Sequence, residues 1–253
     1  MKINKTTILV CSFFTILSGI STTVIGLFAP QTVGFTTIQG IMSSVFTGFI
    51  VSLVVSTIGY FHERNVIIDR TDSNIQSLYI NIYVISKEVE KTLQQIPYVA
   101  RLEALPFKYM YDVSSLNIDF FKDMNISLFT PFFKNGKLGQ TYKELQEFQR
   151  VVYNIRNIST SLYAQSLEYD NQLLTIRNNQ LNGVNLNLND SANLEAFKNT
   201  INVRTAKFHE YTTGQLFELE KIAKAFYLSK SRKQSWEDIK PVLLQQANII
   251  MRG

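Results

Sequence analysis

Apolar and polar positions divide this chain into two stretches of different character. Between Thr6 and His62 there is no Asp, Glu, Lys or Arg, and apolar residues dominate residues 6–28 and 37–61. Both runs exceed the roughly 20 residues an α-helix needs to cross a bilayer. In residues 29–35 between them, Pro30 and Gly34 interrupt the helical pattern and predict a short turn. The expected product is a transmembrane hairpin, with residues 1–62 as one domain and residues 63–253 as another.

In the second stretch apolar residues recur at intervals of three and four, and almost nowhere alternate as in a strand, so the whole protein is expected to be all-α. The first helix there either continues from the membrane or restarts near Thr71, Asp72 and Ser73, all good N-cap types. Ile75, Leu78, Ile82, Ile85, Val89, Leu93 and Ile96 form its buried stripe. Pro97 stops it. Residues 98–137 are broken by Pro106, Pro131 and Gly136 and crowded with Phe107, Tyr109, Tyr111, Phe120, Phe121, Phe129, Phe132 and Phe133. Short helices and packed loops are expected there, the aromatics serving as ordinary core, as the wall of a ligand pocket, or as an interfacial layer against headgroups.

Two long helices follow, over about 140–177 and 191–229. Leu145, Phe148, Val152, Ile155, Leu162 and Leu173 mark the first; Leu194, Phe197, Ile201, Phe208, Leu216, Leu219, Ile222 and Phe226 mark the second. The connector, residues 178–190, carries six asparagines and Gly183, a turn-forming composition that predicts a long antiparallel helix pair. A last helix is expected at Ser235, with Asp238 in the capping-box position and Pro241 able to move the start inward.

Charge sets the expected orientation. Lys2 and Lys5 precede the first span, Arg64 and Arg70 follow the second, and the connecting loop has no basic residue. The positive-inside rule therefore places both termini in the cytoplasm. A cleavable signal peptide competes for the first span because residues 1–5 look like a charged n-region. The apolar stretch is longer than a usual h-region, and no clean small-x-small site follows it. Cys11 comes too early for a lipoprotein signal and reads as an apolar residue of the span. Of the formal charge of +5, Lys2 and Lys5 account for two, so residues 63–253 carry +3. That is too little to impose a nucleic-acid-binding field. One cysteine allows neither an intramolecular disulfide nor a thiolate zinc site.

Within the second span Gly40, Ser44, Gly48, Ser52 and Ser56 lie four apart, a small-residue ridge that lets another helix approach closely. Thr15, Gly19, Thr22 and Gly26 are a looser counterpart in the first. The two faces can pack on each other within one chain, and the ridge can also mate with further copies. The Ser44, Ser52 and Ser56 hydroxyls could then line a polar path, although no intramembrane charge marks an ion route. At the inner surface, residues 60–64 place aromatic and charged side chains where span anchors sit, with His62 among them.

A second candidate surface is basic. Lys221, Lys224, Lys230, Arg232 and Lys233 follow one another with no acid between, interleaved with Ala225, Phe226 and Tyr227. Such a face suits anionic lipid or phosphate, and equally a helix C-terminus through its dipole. Catalytic signatures are missing: no Gly-rich phosphate loop, no His-Glu-x-x-His and no Gly-x-Ser-x-Gly. His209, Glu210 and Glu218 would have to supply any unrecognised active site. No enzyme activity, cofactor, metal or small-molecule substrate is expected.

Residues 6–61, with their uncharged loop, and the helical domain after them resemble the two-transmembrane effectors of bacterial anti-phage systems, most closely those encoded beside retron reverse transcriptases. The resemblance lies in architecture and transfers no functional residue. It implies an inner-membrane protein held dormant by a reverse transcriptase and its DNA-RNA product. When phage attack disturbs that restraint, the protein damages the membrane, an abortive infection. A constitutive membrane-anchored scaffold or accessory subunit is the alternative.

Overall fold

The computed structural model describes residues 5–28, 32–123, 136–183, 188–229 and 234–251. Six α-helices account for most of them: α1 (Lys5–Phe28), α2 (Val33–Gln95), α3 (Phe107–Asp123), α4 (Lys137–Leu181), α5 (Leu188–Ser229) and α6 (Trp236–Ile250). Two 3-10 turns, Ile96–Tyr98 and Leu102–Ala104, link α2 to α3. Among the described residues there is no strand, so the all-α expectation holds. The chain forms two compact units divided between Thr71 and Asp72.

The first unit is the apolar hairpin. Its second helix starts at Val33, inside the expected turn, because Thr32 supplies the opening carbonyl: the backbone N–H of Thr36 donates to it at 3.1 Å. The turn is therefore shorter than the 29–35 anticipated, and Gly34 belongs to the helix. The helices run antiparallel. Phe14 stacks on Phe49 at 5.3 Å, a Cβ placed on Gly19 would meet Phe46 Cε2 at 2.9 Å, and one on Gly26 would meet Gln39 Nε2 at 2.8 Å. Position numbers fall on α2 as they rise on α1.

The helix α2 does not restart at Thr71–Ser73; those residues lie inside one helix of 63 residues. With helix-forming neighbours on both sides, N-cap residue types do not interrupt a helix whose next turn is already packed. In the second unit its face is nearly the one expected: Ile75, Leu78, Ile82, Ile85, Val89 and Ile96 are buried, while Leu93 is half-buried. Pro97 falls in the 3-10 turn directly after Gln95, so it ends the helix as anticipated.

The long pair is antiparallel. Asn154 reaches Tyr211, Ser161 accepts from Arg204, and Tyr169 packs on Phe197, each step forward on α4 matched by a step back on α5. Both helices extend further into the connector than the asparagine content suggests. Gly183 adopts φ +72°, the left-handed conformation that ends helices with little penalty for glycine, and its N–H donates to the Gln180 carbonyl at 3.1 Å. Leu173, Phe197 and Leu216 prove half-buried rather than core.

In the described part of the aromatic segment, residues 98–123, the helix is longer than expected, since α3 spans 17 residues. Phe107 is buried, Tyr111 stacks on Tyr163 of α4 at 5.9 Å, and Tyr109 is partly exposed. The side chains of Phe120 and Phe121, and all of Phe129, Phe132 and Phe133, lie outside the described part. Finally, α6 starts at Trp236 with Ser235 and Asp238 forming a full capping box. Pro241 does not move that start; it sits within the helix, where the two reciprocal cap bonds and the burial of Trp236 outweigh one lost backbone bond.

Candidate functional site

In lipid, hydroxyls need internal partners, and the first unit provides them. Thr15, Ser18, Ser21, Thr22 and Thr23 each donate to the carbonyl four residues back, at 2.7–2.9 Å. Ser44 does the same to Gly40 at 3.0 Å, and Thr47 to Ser43 at 2.9 Å. A hydroxyl bonded in this way costs little in an apolar setting. Its hydrogen is turned inward toward the backbone rather than outward to line a path.

The two small-residue faces meet different fates. Thr15, Gly19 and Thr22 on α1 are half-buried and face α2, where Phe46 closes over Gly19. The α2 ridge does not return that contact. The partly buried positions of α2 are instead Gln39, Met42, Phe46, Phe49 and Leu53, while Gly40, Ser44, Gly48 and Ser52 are exposed and Ser56 is half-buried. Nothing lies within 4 Å of a Cβ built on Gly40 or Gly48. At 3.6 residues per turn Gly48 is turned about 160° from Phe46, so the ridge occupies the far side of α2.

Apolar exposure is the other property of this unit. Phe13, Ile16, Ile20 and Leu27 on α1 and Ile41, Val51, Val55 and Ile58 on α2 all stand more than half exposed. In the most apolar 18-residue window of each helix only 6% and 0% of residues are buried, whereas the central helix of a soluble protein would be mostly buried. Leaving side chains of this size in water forgoes about 1.5–3 kcal/mol each, so eight of them represent on the order of 15 kcal/mol that lipid contact would recover. The chain thus carries two helices long and apolar enough to span a membrane.

The basic stretch is less open than its sequence implies. Lys221 pairs with Glu218 at 2.7 Å and lies 4.6 Å from the centre of the Phe217 ring. Lys224 bonds Glu237 at 2.9 Å and Glu220 at 3.2 Å, and Lys240 bonds both oxygens of Glu220, at 2.9 and 2.8 Å. These contacts tie the end of α5 to the start of α6. Despite partial burial, the two lysines hold the Glu220 carboxyl below its usual range. Lys230, Arg232 and Lys233 lie outside the described residues.

Among the described residues no group of three or more His, Cys, Asp or Glu is placed to hold a metal. His62 is exposed, and His209 is half-buried with its Nδ1 enclosed. Glu218, one of the residues needed for a hidden active site, is held by Lys221.

Sequence patterns missed two buried polar groupings. Tyr227 of α5 donates to the Asp72 carboxylate, while Gln76 Nε2 donates to Asp72 at 3.1 Å and to the Tyr227 oxygen at 2.9 Å. Burial first, then the neighbouring Asp72 carboxylate, pushes the Tyr227 phenol well up. Trp236 packs edge-on to both Tyr79 and Tyr227, at 5.1 and 5.5 Å, and burial together with Glu220 pushes Tyr79 up to about 12. The second grouping is Asp170, whose two oxygens accept the backbone N–H groups of Leu102, at 2.8 Å, and Glu103, at 2.6 Å. A signal existed for both: Asp72 and Asp170 fall in phase with the apolar stripes of their helices.

No protein-family model matches the chain, and neither a curated protein nor a solved structure matches it.

Proposed function

We propose that the protein is a bacterial inner-membrane effector of anti-phage defence, both termini in the cytoplasm, that breaches the membrane when a cytoplasmic restraint is lifted. The observation carrying this reading is the ridge of Gly40, Ser44, Gly48 and Ser52, exposed on the side of α2 away from α1 in a helix that continues into the second unit. Small residues let helices associate in lipid through close backbone approach, and no described residue comes within 4 Å of a Cβ built on Gly40 or Gly48. Self-association through the spans is the proposed output. The Asp72–Tyr227–Gln76 grouping fastens α2 to α5, so a rearrangement of the second unit would act directly on the helix that carries the ridge. A reverse transcriptase with its DNA-RNA product is the proposed restraint.

Inducible expression in bacteria, with membrane potential, propidium entry and growth recorded together, tests this. The full chain should depolarise cells, if necessary only during phage infection, and a chain starting at Glu63 should not. Gly48→Leu with Ser52→Leu should abolish killing while preserving insertion, because the structure leaves open space at Gly48. Undiminished killing by that variant refutes the ridge as the output.

A second reading, a constitutive membrane-anchored scaffold, is favoured by the exposure of Val203, Phe217 and Leu228 on α5, which offer a partner apolar contact. It predicts polarised, growing cells with and without phage, and indifference to the ridge.

A further inference from the structure

The last turns of α4 carry an exposed stripe that the fold of the second unit does not use. Ala164, Leu167, Asn171, Leu174, Asn178 and Leu181 are all exposed, the three leucines by 40%, 38% and 85%. Their spacing alternates between three and four, and at 3.6 residues per turn they share about 100° of the helix surface. Leu162, Ser166 and Tyr169, which face the core of the unit, lie about 140° round from the middle of the stripe. Asn154 and Ser161, which reach α5, lie about 120° round on its other side.

The chemistry of the stripe follows a heptad. Leucine recurs at every seventh position, and asparagine stands three residues before Leu174 and before Leu181, which places leucine at d and asparagine at a. That combination selects two parallel strands in register, because each buried amide is satisfied by the same amide of an identical helix and by no apolar surface. Neither the Asn171 nor the Asn178 side chain bonds another described residue; Asn171 contributes only its carbonyl, to Thr175 at 2.9 Å. The stripe holds no charged residue, so two copies meet there without repulsion. Its 18 residues give a seam of about 27 Å, and since the unit already holds α4 helical, pairing carries no helix-nucleation cost. So short a seam pairs weakly in free solution. Two copies held in one bilayer by their hairpins meet at a much higher effective concentration, which favours a second copy over a soluble partner.

We propose that α4 pairs with α4 of a second copy through this stripe, as a parallel, in-register, two-stranded coiled coil. Asn171 and Asn178 bond their counterparts, and Leu167, Leu174 and Leu181 close the seam between and beyond them. The assignment rests on the hairpin lying in a bilayer, and on neither killing nor the α2 ridge.

The test uses the full chain, made by cell-free synthesis in phosphatidylcholine vesicles, with its single cysteine removed by Cys11→Ala. Leu167→Cys, Leu181→Cys and Gln172→Cys are then introduced singly, and copper-phenanthroline oxidation is followed on non-reducing gels. A disulfide needs its two Cα atoms within about 7 Å. The Leu167→Cys and Leu181→Cys chains should each cross-link to themselves, whereas Gln172→Cys, exposed on another face of α4, should not. Leu174→Glu should abolish the Leu181→Cys cross-link. Should that variant misfold, Leu181→Glu, at a more exposed position, should abolish the Leu167→Cys cross-link. The proposal is overturned if either leucine position fails to cross-link, if Gln172→Cys cross-links as strongly, or if the cross-links survive the glutamate variants. A cross-link formed only between a Leu167→Cys chain and a Leu181→Cys chain overturns it in favour of antiparallel pairing. Chains that alkaline carbonate extracts from the vesicles overturn the membrane reading along with it, while inserted chains that fail to cross-link overturn this assignment alone.

Discussion

Replacing Asp170 with alanine should loosen the junction between α2 and α3. The carboxylate is 3% exposed and uses both oxygens, bonding Leu102 N–H at 2.8 Å and Glu103 N–H at 2.6 Å, while Leu102 itself is fully buried. These are the first two residues of the 3-10 turn Leu102–Ala104, whose own start has no side-chain cap, so Asp170 caps it from another helix. A hydrogen bond to a charged group contributes about 1.5–3 kcal/mol, and alanine would strand two donors where little water reaches. The expected loss is about 3–4 kcal/mol for Asp170→Ala, and about half that for Asp170→Asn, which keeps one good acceptor. For a unit of this size that means a fall in Tm of about 10 °C. The single tryptophan, Trp236, gives a fluorescence signal for the unfolding of this unit. An alanine variant within 1 kcal/mol of wild type, or an asparagine variant as damaged as alanine, would refute the capping role.

Three further outcomes follow from the same structure. Above pH 10 the second unit should lose stability: the buried phenols of Tyr79 and Tyr227 have folded-state pKa values raised above the ordinary tyrosine value, so their contribution is complete below about pH 10 and disappears as pH climbs toward 12. In denaturant titrations across that window, Tyr79→Phe should flatten the slope by about 1.4 kcal/mol per pH unit. Ser235→Ala removes half of the capping box and should cost about 1 kcal/mol, read in the Trp236 fluorescence transition; an unchanged midpoint would count against it. Gly214 sits mid-helix in α5 with open space around an added Cβ and no positive φ, so Gly214→Ala should stabilise by about 1 kcal/mol in urea unfolding.

Much of the architecture was legible in the pattern alone. The charge-free stretch before His62, the three-and-four stripe from Ile75 to Ile96 and the Ser235–Asp238 cap all depend on neighbours in sequence. Local periodicity and local hydrogen bonds are properties of the chain itself. Boundaries were less legible. The residues Thr71, Asp72 and Ser73 look like a helix start, yet α2 passes through them, and Pro241 sits inside the helix it was expected to shorten. In both places packing against other elements outweighs a local preference of about 1–3 kcal/mol.

Which face of a helix meets which neighbour was decided only in three dimensions. The five small residues of α2 and the four of α1 look like matching surfaces in sequence; folding sets Gly19 against Phe46 and Gly26 against Gln39 and leaves most of the α2 ridge exposed. The run of lysines from Lys221 likewise looks free until Glu237, brought up by α6, closes on Lys224. Asp170 gives no sign of its partner, because Leu102 lies 68 positions away. The sequence alone determined where helices form and that two of them are apolar enough for lipid, since both depend on the composition of a contiguous segment. Partners for the ridge, the lysines and the buried carboxylates came only from tertiary structure, because charge pairing and close packing act through space, between groups whose separation along the chain has no fixed relation to their distance.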